Sequence, residues 1–429
     1  MSSLWKSYRK IKLVYRIGVA FVLGSILGLV VGPSITVIAP LGTLFIRLLK
    51  MIIIPIVLFT LVAGMRKLSP SKLGRVGFQT VALYLLTTAV AIIFGLIIAN
   101  FINPGIGLTL PGNAEIQSKA APSIAEVFLN IVPDNPIGAL AEGNVLQTIF
   151  IAIVFGLSLA MLQENAEGAI KKGVETIFNI VETGAEVMYK IVWGVMEYGV
   201  IGVFALMASV FGQTGLDSII PFGKLILSLS LAVFFHITIT YLLVIMMGLV
   251  QKSPMAFLRG SKDAMLTALS IRSSSGTLPV TMSNADENLA IDEAIYSFTL
   301  PLGATINMDG TAMYQGVAAI FAANLIGQTL TISQQLVILL TAVLASVGTA
   351  GVPGSGLIML TMVLTQLGLP LTVVGFVAGI DPILDRIRTM NNVTGDLAVT
   401  TLVAKWNDGI DFNRGVWVDA DKKKKKKKT

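Results

Sequence analysis

Between the apolar runs LTVVGFVAGI and LAVTTLVA stands DPILDRIRTMNNVTGD, residues 381–396, and no other stretch limits the fold so tightly. On a helix, Asp381, Asp385, Arg388, Asn392 and Asp396 recur at steps of three and four and so share one face. Each acid or arginine at mid-bilayer costs at least roughly 2.5–3.5 kcal/mol, so this face cannot meet lipid. A buried structural ion-pair network is the bland reading of the stripe. A site that handles charged solutes is the stronger one.

The surroundings of that stretch make the bilayer argument necessary. Of 429 residues, 54% are apolar and 13% charged, and mean hydropathy is +0.82. Soluble domains carry about 25% charged residues. Several apolar runs reach about 20 residues, enough to span a bilayer. The chain is expected to be a polytopic membrane protein. Its formal net charge of +7 resides in the seven lysines of Lys422–Lys428, without which 24 basic residues face 24 acidic ones. That run is low-complexity, expected to be disordered and at most a contact for anionic head groups. It implies no nucleic-acid partner. The absence of cysteine excludes disulfides and thiol chemistry. No cleavable signal peptide is expected, because the first apolar run continues as a full span.

Spans are predicted near Ile17–Val31, Leu41–Ala63, Val76–Phe101 and Leu225–Val250. The basic residues Lys6, Arg9, Lys10, Lys12 and Arg16, then Arg66, Lys67, Lys72 and Arg75, then Lys252, Arg259 and Lys262, place those segments in the cytoplasm. The loop of residues 103–122, whose only base is Lys119, falls outside. Residues 124–212 are less regular. They read as a broken span, an amphipathic interfacial helix over Glu164–Tyr189, and a further span. Two later apolar stretches, Ala264–Met282 and Leu336–Leu364, are interrupted by IRSSSGTLPVT and SVGTAGVPGSG. Central Gly and Pro free backbone groups that lipid cannot satisfy, so both are predicted to be re-entrant helical hairpins. Their echoing LTA…S-G-T patterns suit an inverted repeat. Between them, in Ile295–Ile326, TINMDGTAMYQ carries Asn307, Asp309, Thr311 and Gln315. Asn307, Met308 and Asp309 converge on one site only if the helix unwinds there.

The chemistry follows from charge. Arg388 lies one turn from Asp385 and can neutralise it, whereas Asp309 and Asp396 have no basic partner in their own segments. Such carboxylates must take up protons or hold cations. Asn307, Asn392, Thr305, Thr311 and hairpin carbonyls offer hard oxygens that suit sodium. The Arg388 fork suits a solute carboxylate, and Asp385 suits an ammonium. A solute with both groups is an amino acid, and a second carboxylate for Arg388 makes it acidic. The single histidine, His236, cannot build a metal site and reads as a hydrogen-bonded interior residue. Ser273–Ser275 lack a neighbouring base, and GVPGSG lacks the Lys-Ser/Thr ending of a phosphate loop. No enzyme activity is expected.

Taken together, RSSSGTLP, NMDGT, GTAGVPGSG and D-x-x-x-D-R-x-R-T-x-x-N-V-x-G-D, in this order over residues 10–406, resemble the glutamate/aspartate transporter family, the dicarboxylate/amino acid:cation symporters. The prokaryotic sodium-coupled aspartate transporters are the nearest likeness. The resemblance implies an all-α fold of eight transmembrane helices and two re-entrant hairpins, arranged as inverted repeats. It implies a homotrimer that works as an elevator. Residues 10–75 would be scaffold spans one and two, 76–103 span three of the mobile part, and 124–213 scaffold spans four and five. Residues 219–407 would form the rest of the transport domain, and 408–429 a disordered cytoplasmic tail. Arg388 would take the side-chain carboxylate and Asp385 the amino group. Thr389, Asn392, Thr311, Ser274, Val352 and Gly356 would complete the substrate site. More than one sodium ion is implied, three in all. Gly303, Asn307, Asn392 and Asp396 would hold one, and Thr305, Ser346 and Thr349 a second. Tyr84, Thr87, Thr88, Asn307 and Asp309 would hold the third. Residues 336–364 would be the extracellular gate. Unlike the family pattern of one arginine at either place, this sequence carries both Arg272 and Arg386.

The resulting expectation is a sodium-coupled symporter of L-aspartate, with L-glutamate as a further candidate substrate, in the cytoplasmic membrane of a prokaryote. Its termini are expected in the cytoplasm. Arg388→Ala should abolish uptake and leave the fold intact. A proton-coupled or C4-dicarboxylate symporter and an anion channel lined by Arg272, Arg386 and Arg388 are the alternatives.

Overall fold

A computed structural model describes Tyr8, Ile11 and residues 13–66, 70–107, 124–346 and 355–418. Nearly all of these are helical. Helix α1 (Leu13–Val31) passes through a 3₁₀ segment, Gly32–Ile38, into α2 (Ala39–Met65). α3 (Pro70–Ile102) kinks at Gly74, whose positive φ of 44° suits a residue without a Cβ. Two short helices, α4 (Ile124–Leu129) and α5 (Pro136–Glu142), precede α6 (Val145–Asn165). The Asn135 and Asn144 side chains cap α5 and α6, accepting from backbone N–H groups of the first turn.

Here the prediction fails in an instructive way. No interfacial helix separates two spans: Glu164 and Asn165 end α6, Glu167 is the N-cap of α7, and the remaining charged residues lie within α7, one unbroken helix from Gly168 to Thr214. Its 47 residues extend for about 70 Å. The charges mark the part of a long helix that outruns its apolar half, not a separate element. Five helical stretches of the described residues are long and apolar enough to cross a membrane: Tyr15–Met65, Gly74–Ile102, Val145–Asn165, Gly168–Asp217 and Ile219–Val250. The first contains both α1 and α2. These stretches make the chain a membrane protein.

α8 starts at Ile219 and runs α-helically to His236, then as a π-helix over Ile237–Val250. α9 (Pro254–Ile271) and α10 (Ser274–Ser283) pack on each other around a tip at Arg272, in left-handed conformation (φ 60°), and extended Ser273. This is the first helical hairpin foreseen from the interrupted apolar run. α11 (Glu293–Ile306) and α12 (Asp309–Leu325) are divided at Asn307–Met308, where ψ turns positive (79° and 44°). The unwinding that Asn307 and Asp309 required is therefore present. α13 (Ile332–Ser346) and α14 (Ser355–Leu367) also pack on each other; Thr349 and Val352 lie outside the described residues. α15 (Thr372–Trp406) is one 35-residue helix that carries the whole charged stripe.

α1, α2, α6 and α7 pack together, while α3, α8 to α12 and α15 form a second set of contacts. Glycines let the two sets approach. A Cβ at Gly379 would collide with the Phe21 ring of α1, and one at Gly375 with Leu206 of α7. Arg16, counted above with the cytoplasmic charges, is buried instead and forms a bidentate pair with Glu197 of α7 (2.5 and 2.8 Å). The last described residues also differ from the tail expected over 408–429. Asp411 N–H donates to the Ala290 carbonyl, Asp292 N–H to that of Gly409, and the Trp417 indole to that of Leu289. Residues 408–418 are thereby held against the base of the first hairpin, because their backbone finds partners there.

Candidate functional site

One face of α15 meets the first hairpin and the α11–α12 break in the interior. Arg388 is 1% exposed, and its Nη1 donates to Asp381 Oδ1 (2.8 Å) while Nη2 donates to Asp385 Oδ1 (2.9 Å). Arg272, brought in by the hairpin tip, lies 3.6 Å from Asp385 Oδ2. Two acids thus face two guanidinium groups. The sequence reading paired Arg388 with Asp385 alone; Asp381, a full two turns away, reaches the same fork. The guanidinium carbon sits 4.3 Å above the Tyr314 ring, and a Cβ at Gly356 would lie 2.7 Å from it. Only glycine lets α14 approach the guanidinium so closely. Arg388 Nε and Asp385 Oδ2 have no hydrogen-bond partner among the described residues. Buried groups of this kind are costly to leave unmade, which marks them as capacity for a ligand.

The remaining substrate-side residues gather less completely. The Asn392 amide donates to Thr311 Oγ1 (3.3 Å) and Asn392 Oδ1 accepts from Gly310 N–H (2.7 Å), so α12 and α15 are stitched together beside Arg388. Thr389 donates back to the Asp385 carbonyl of its own helix. Ser274 is buried at the first turn of α10, just past the Ser273 cap. Arg386, the second unusual arginine, turns away: it donates to the Leu269 (2.5 Å) and Ser270 (3.3 Å) carbonyls at the end of α9. One arginine faces the acids, and the other ties the hairpin to α15.

About one turn further along α15 the chemistry changes. Asp396 Oδ1 accepts from the Asn307 amide (2.9 Å), which also reaches the Asn392 carbonyl (3.3 Å). A Cβ at Gly303 would lie 2.5 Å from Asp396 Oδ1 and 2.6 Å from the Tyr84 hydroxyl, so Gly303, Asn307, Asn392 and Asp396 do form one cluster. Asp309 accepts from Thr88 on Oδ1 and from Tyr241 on Oδ2, both at 2.5 Å. The Thr87 hydroxyl lies 3.5 Å from Asn307 Oδ1. Tyr84 donates to the Thr299 carbonyl (3.1 Å) rather than to Asn307 or Asp309. Neither Asp309 nor Asp396 forms an ion pair among the described residues, and both are at most 2% exposed. Buried carboxylates that meet neutral hydroxyl and amide groups, with the Thr299 and Asn392 carbonyls close by, fit a small hard cation. In the set Thr305, Ser346 and Thr349, whose expected contribution is largely through backbone carbonyls, the described hydroxyls turn back on their own helices. Thr305 donates to Leu302 and Ser346 to Val343, each within its own helix, and Thr349 is outside the described residues.

Three participants escaped the sequence reading. Tyr241 sits in an apolar stretch and Tyr314 in TINMDGTAMYQ, and only the fold brings the Tyr241 hydroxyl to Asp309 and the Tyr314 ring to Arg388. Gln315, noted as polar but given no role, donates to the Gly356 carbonyl (3.3 Å).

The Sodium:dicarboxylate symporter family profile matches residues 13–406. A "Proton/sodium-glutamate symport protein" of Geobacillus stearothermophilus is 34% identical over 424 residues, covering 95% of this chain and 97% of that one. A "Proton/glutamate-aspartate symporter" of Escherichia coli (strain K12) is 33% identical, with 95% of each chain covered. A "Proton/sodium-glutamate symport protein" of Bacillus subtilis (strain 168) is 35% identical, covering 89% of this chain and 91% of its own. All three are named as symporters, and none as an enzyme.

Proposed function

We propose that this chain, which belongs to the sodium:dicarboxylate symporter family, is a secondary active symporter that takes up L-aspartate, with L-glutamate as a further candidate substrate, coupled to sodium. The observation that carries the reading is the pairing of two unlike buried sites where α12 meets α15. Arg388 presents a guanidinium already shaped for two carboxylate contacts. Asp309 on α12 and Asp396, eight residues beyond Arg388 on α15, lack any cationic partner among the described residues. A dicarboxylate amino acid would exchange onto Arg388 and set its ammonium against Asp385. Sodium ions would neutralise the other two acids, so that the loaded site is nearly charge-balanced and can move through a low-dielectric interior.

Proton coupling is the second reading, because a buried carboxylate can be neutralised by a proton as well as by sodium, and the relatives' names include both cations. Uptake of radiolabelled aspartate into liposomes separates the two. A sodium gradient should drive accumulation and an imposed proton gradient alone should not; the reverse result would move the chain to the proton-coupled group. Succinate should compete poorly, since it offers Asp385 no ammonium.

The same reading assigns α1, α2, α6 and α7 to a scaffold that makes a homotrimer. α3, α8 and the elements from α9 to α15 would be the part that moves as an elevator, with eight spans and two re-entrant hairpins in all. The close approaches at Gly375 and Gly379 support this division, since contacts made through glycine leave a smooth surface between the two sets. The chain would sit in a prokaryotic cytoplasmic membrane with both termini in the cytoplasm.

A further inference from the structure

Tyr241 touches Asp309 but has no part in the function proposed above. It lies in the π-helical part of α8, and π-helical turns occur frequently at functional sites because they re-aim a side chain. Its side chain is fully buried, and its hydroxyl donates to Asp309 Oδ2 at 2.5 Å, opposite the Thr88 hydroxyl on Oδ1. The phenol is held from both sides. His236 meets the ring edge-on with centroids 4.6 Å apart, and His236 is itself fixed by Asn391 (3.3 Å). On the other side Gly395 makes room for it. A Cβ there would collide with the Tyr241 oxygen and lie 2.8 Å from the Asn307 amide nitrogen. The phenol therefore occupies the gap between Asp309 and the residue preceding Asp396.

We propose that Tyr241 is a positioning residue that competes with the coupling cation: its phenol holds the Asp309 carboxylate in the cation-free state and so sets how tightly the cation is bound. This rests on the symporter reading above. A carrier must release its cation as well as bind it, and a bare buried carboxylate would make release prohibitive. Two hydroxyl hydrogens aimed at Asp309 supply an interim partner. Each repels an arriving cation and draws charge from the oxygen that would bind it. Cation binding then exchanges one set of contacts for another and does not neutralise a naked charge. Removing the phenol hydroxyl raises the free energy of the cation-free state more than that of the bound state. The site tightens, and its release slows.

The test is Tyr241→Phe in the full chain. Sodium-dependent thermal stability in detergent without substrate, and the sodium dependence of aspartate uptake in liposomes, should both show half-saturation falling roughly tenfold, the scale of one hydrogen bond to a charged group. Aspartate affinity at saturating sodium should hold, and maximal uptake should drop. A merely structural tyrosine would lower stability at every sodium concentration and leave the half-saturation in place. Unchanged or raised half-saturation in a sodium-responsive background overturns the proposal alone. A wild-type chain with no sodium response sinks the symporter reading, and this inference with it. Should the variant not fold, sodium-induced infrared difference spectra of the wild type decide. A shift of a tyrosine C–O band supports the exchange of partners, and its absence rejects it.

Discussion

The two halves of the α15 site solve the problem of buried charge in opposite ways. Around Arg388, two acids and two guanidinium groups compensate one another within the protein. Around Asp309 and Asp396, the partners among the described residues are neutral donors such as Thr88, Tyr241 and Asn307. The first half stays neutral by itself and can trade partners with a solute that brings matching charges. The second stays charge-deficient until something positive arrives. On the proposed reading that difference gives each half its cargo, and substitutions that alter one half should not reproduce the phenotype of the other.

The largest effect is expected for Arg388→Ala. It removes the solute fork, and aspartate uptake should vanish. The sequence alone suggested that the fold would be untouched. The structure revises this, because Asp381 and Asp385 both lose their partner, and breaking a buried pair costs about 3–5 kcal/mol. A thermal unfolding scan should therefore show a lowered midpoint beside the loss of uptake. An unchanged midpoint would mean that Arg272 and water compensate both acids.

Next comes Asp309→Asn, which turns the charge-deficient half into a neutral one. Sodium dependence of uptake should weaken by at least tenfold, the effect of about 1.4 kcal/mol or more. Saturating sodium should restore part of the aspartate binding, because Arg388 and its acids are intact. A loss of aspartate binding that sodium cannot repair would merge the two halves into one unit.

A smaller and purely steric effect is expected at Gly303→Ala. The added Cβ must clear Asp396 Oδ1 at 2.5 Å and the Tyr84 hydroxyl at 2.6 Å. Sodium half-saturation should rise severalfold with aspartate affinity at saturating sodium little changed, as titration calorimetry would report. Equal effects on both would show that Gly303 supports the fold and not the cation cluster.

The smallest belongs to Arg386→Ala. Its contacts are two carbonyls at the end of α9, Leu269 and Ser270, and not the acids. Losing them should cost about 1–2 kcal/mol of hairpin stability, read as faster amide hydrogen exchange over residues 266–272, with aspartate affinity within about twofold. If affinity falls as far as for Arg272→Ala, the two arginines do the same work and the comparison loses its basis.

Much of this architecture was legible before any coordinates. Asp381, Asp385, Arg388, Asn392 and Asp396 had to share a face and leave the lipid, since helical period and the cost of burying charge admit no other outcome. Gly and Pro inside two apolar runs had to break them, and Asn307 and Asp309 could serve one region only if the helix unwound between them, as it does. The misreadings share one cause. Glu164–Tyr189 looked like a separate element because charge density changes there, yet a helix ends only where its hydrogen bonds end. α7 therefore runs on to Thr214.

What the chain alone determined was therefore local: which faces carry charge, which runs are apolar, and where the backbone must break. Tertiary structure decided who meets whom. It set Asp381 beside Asp385 on one guanidinium, sent Arg386 to the hairpin backbone and Arg272 to the acids, and brought Tyr241 from an apolar π-helix to Asp309. The reason is range. Periodicity and burial cost act on neighbours within a helix, whereas a hydrogen bond between residues 68 positions apart depends on how whole helices pack.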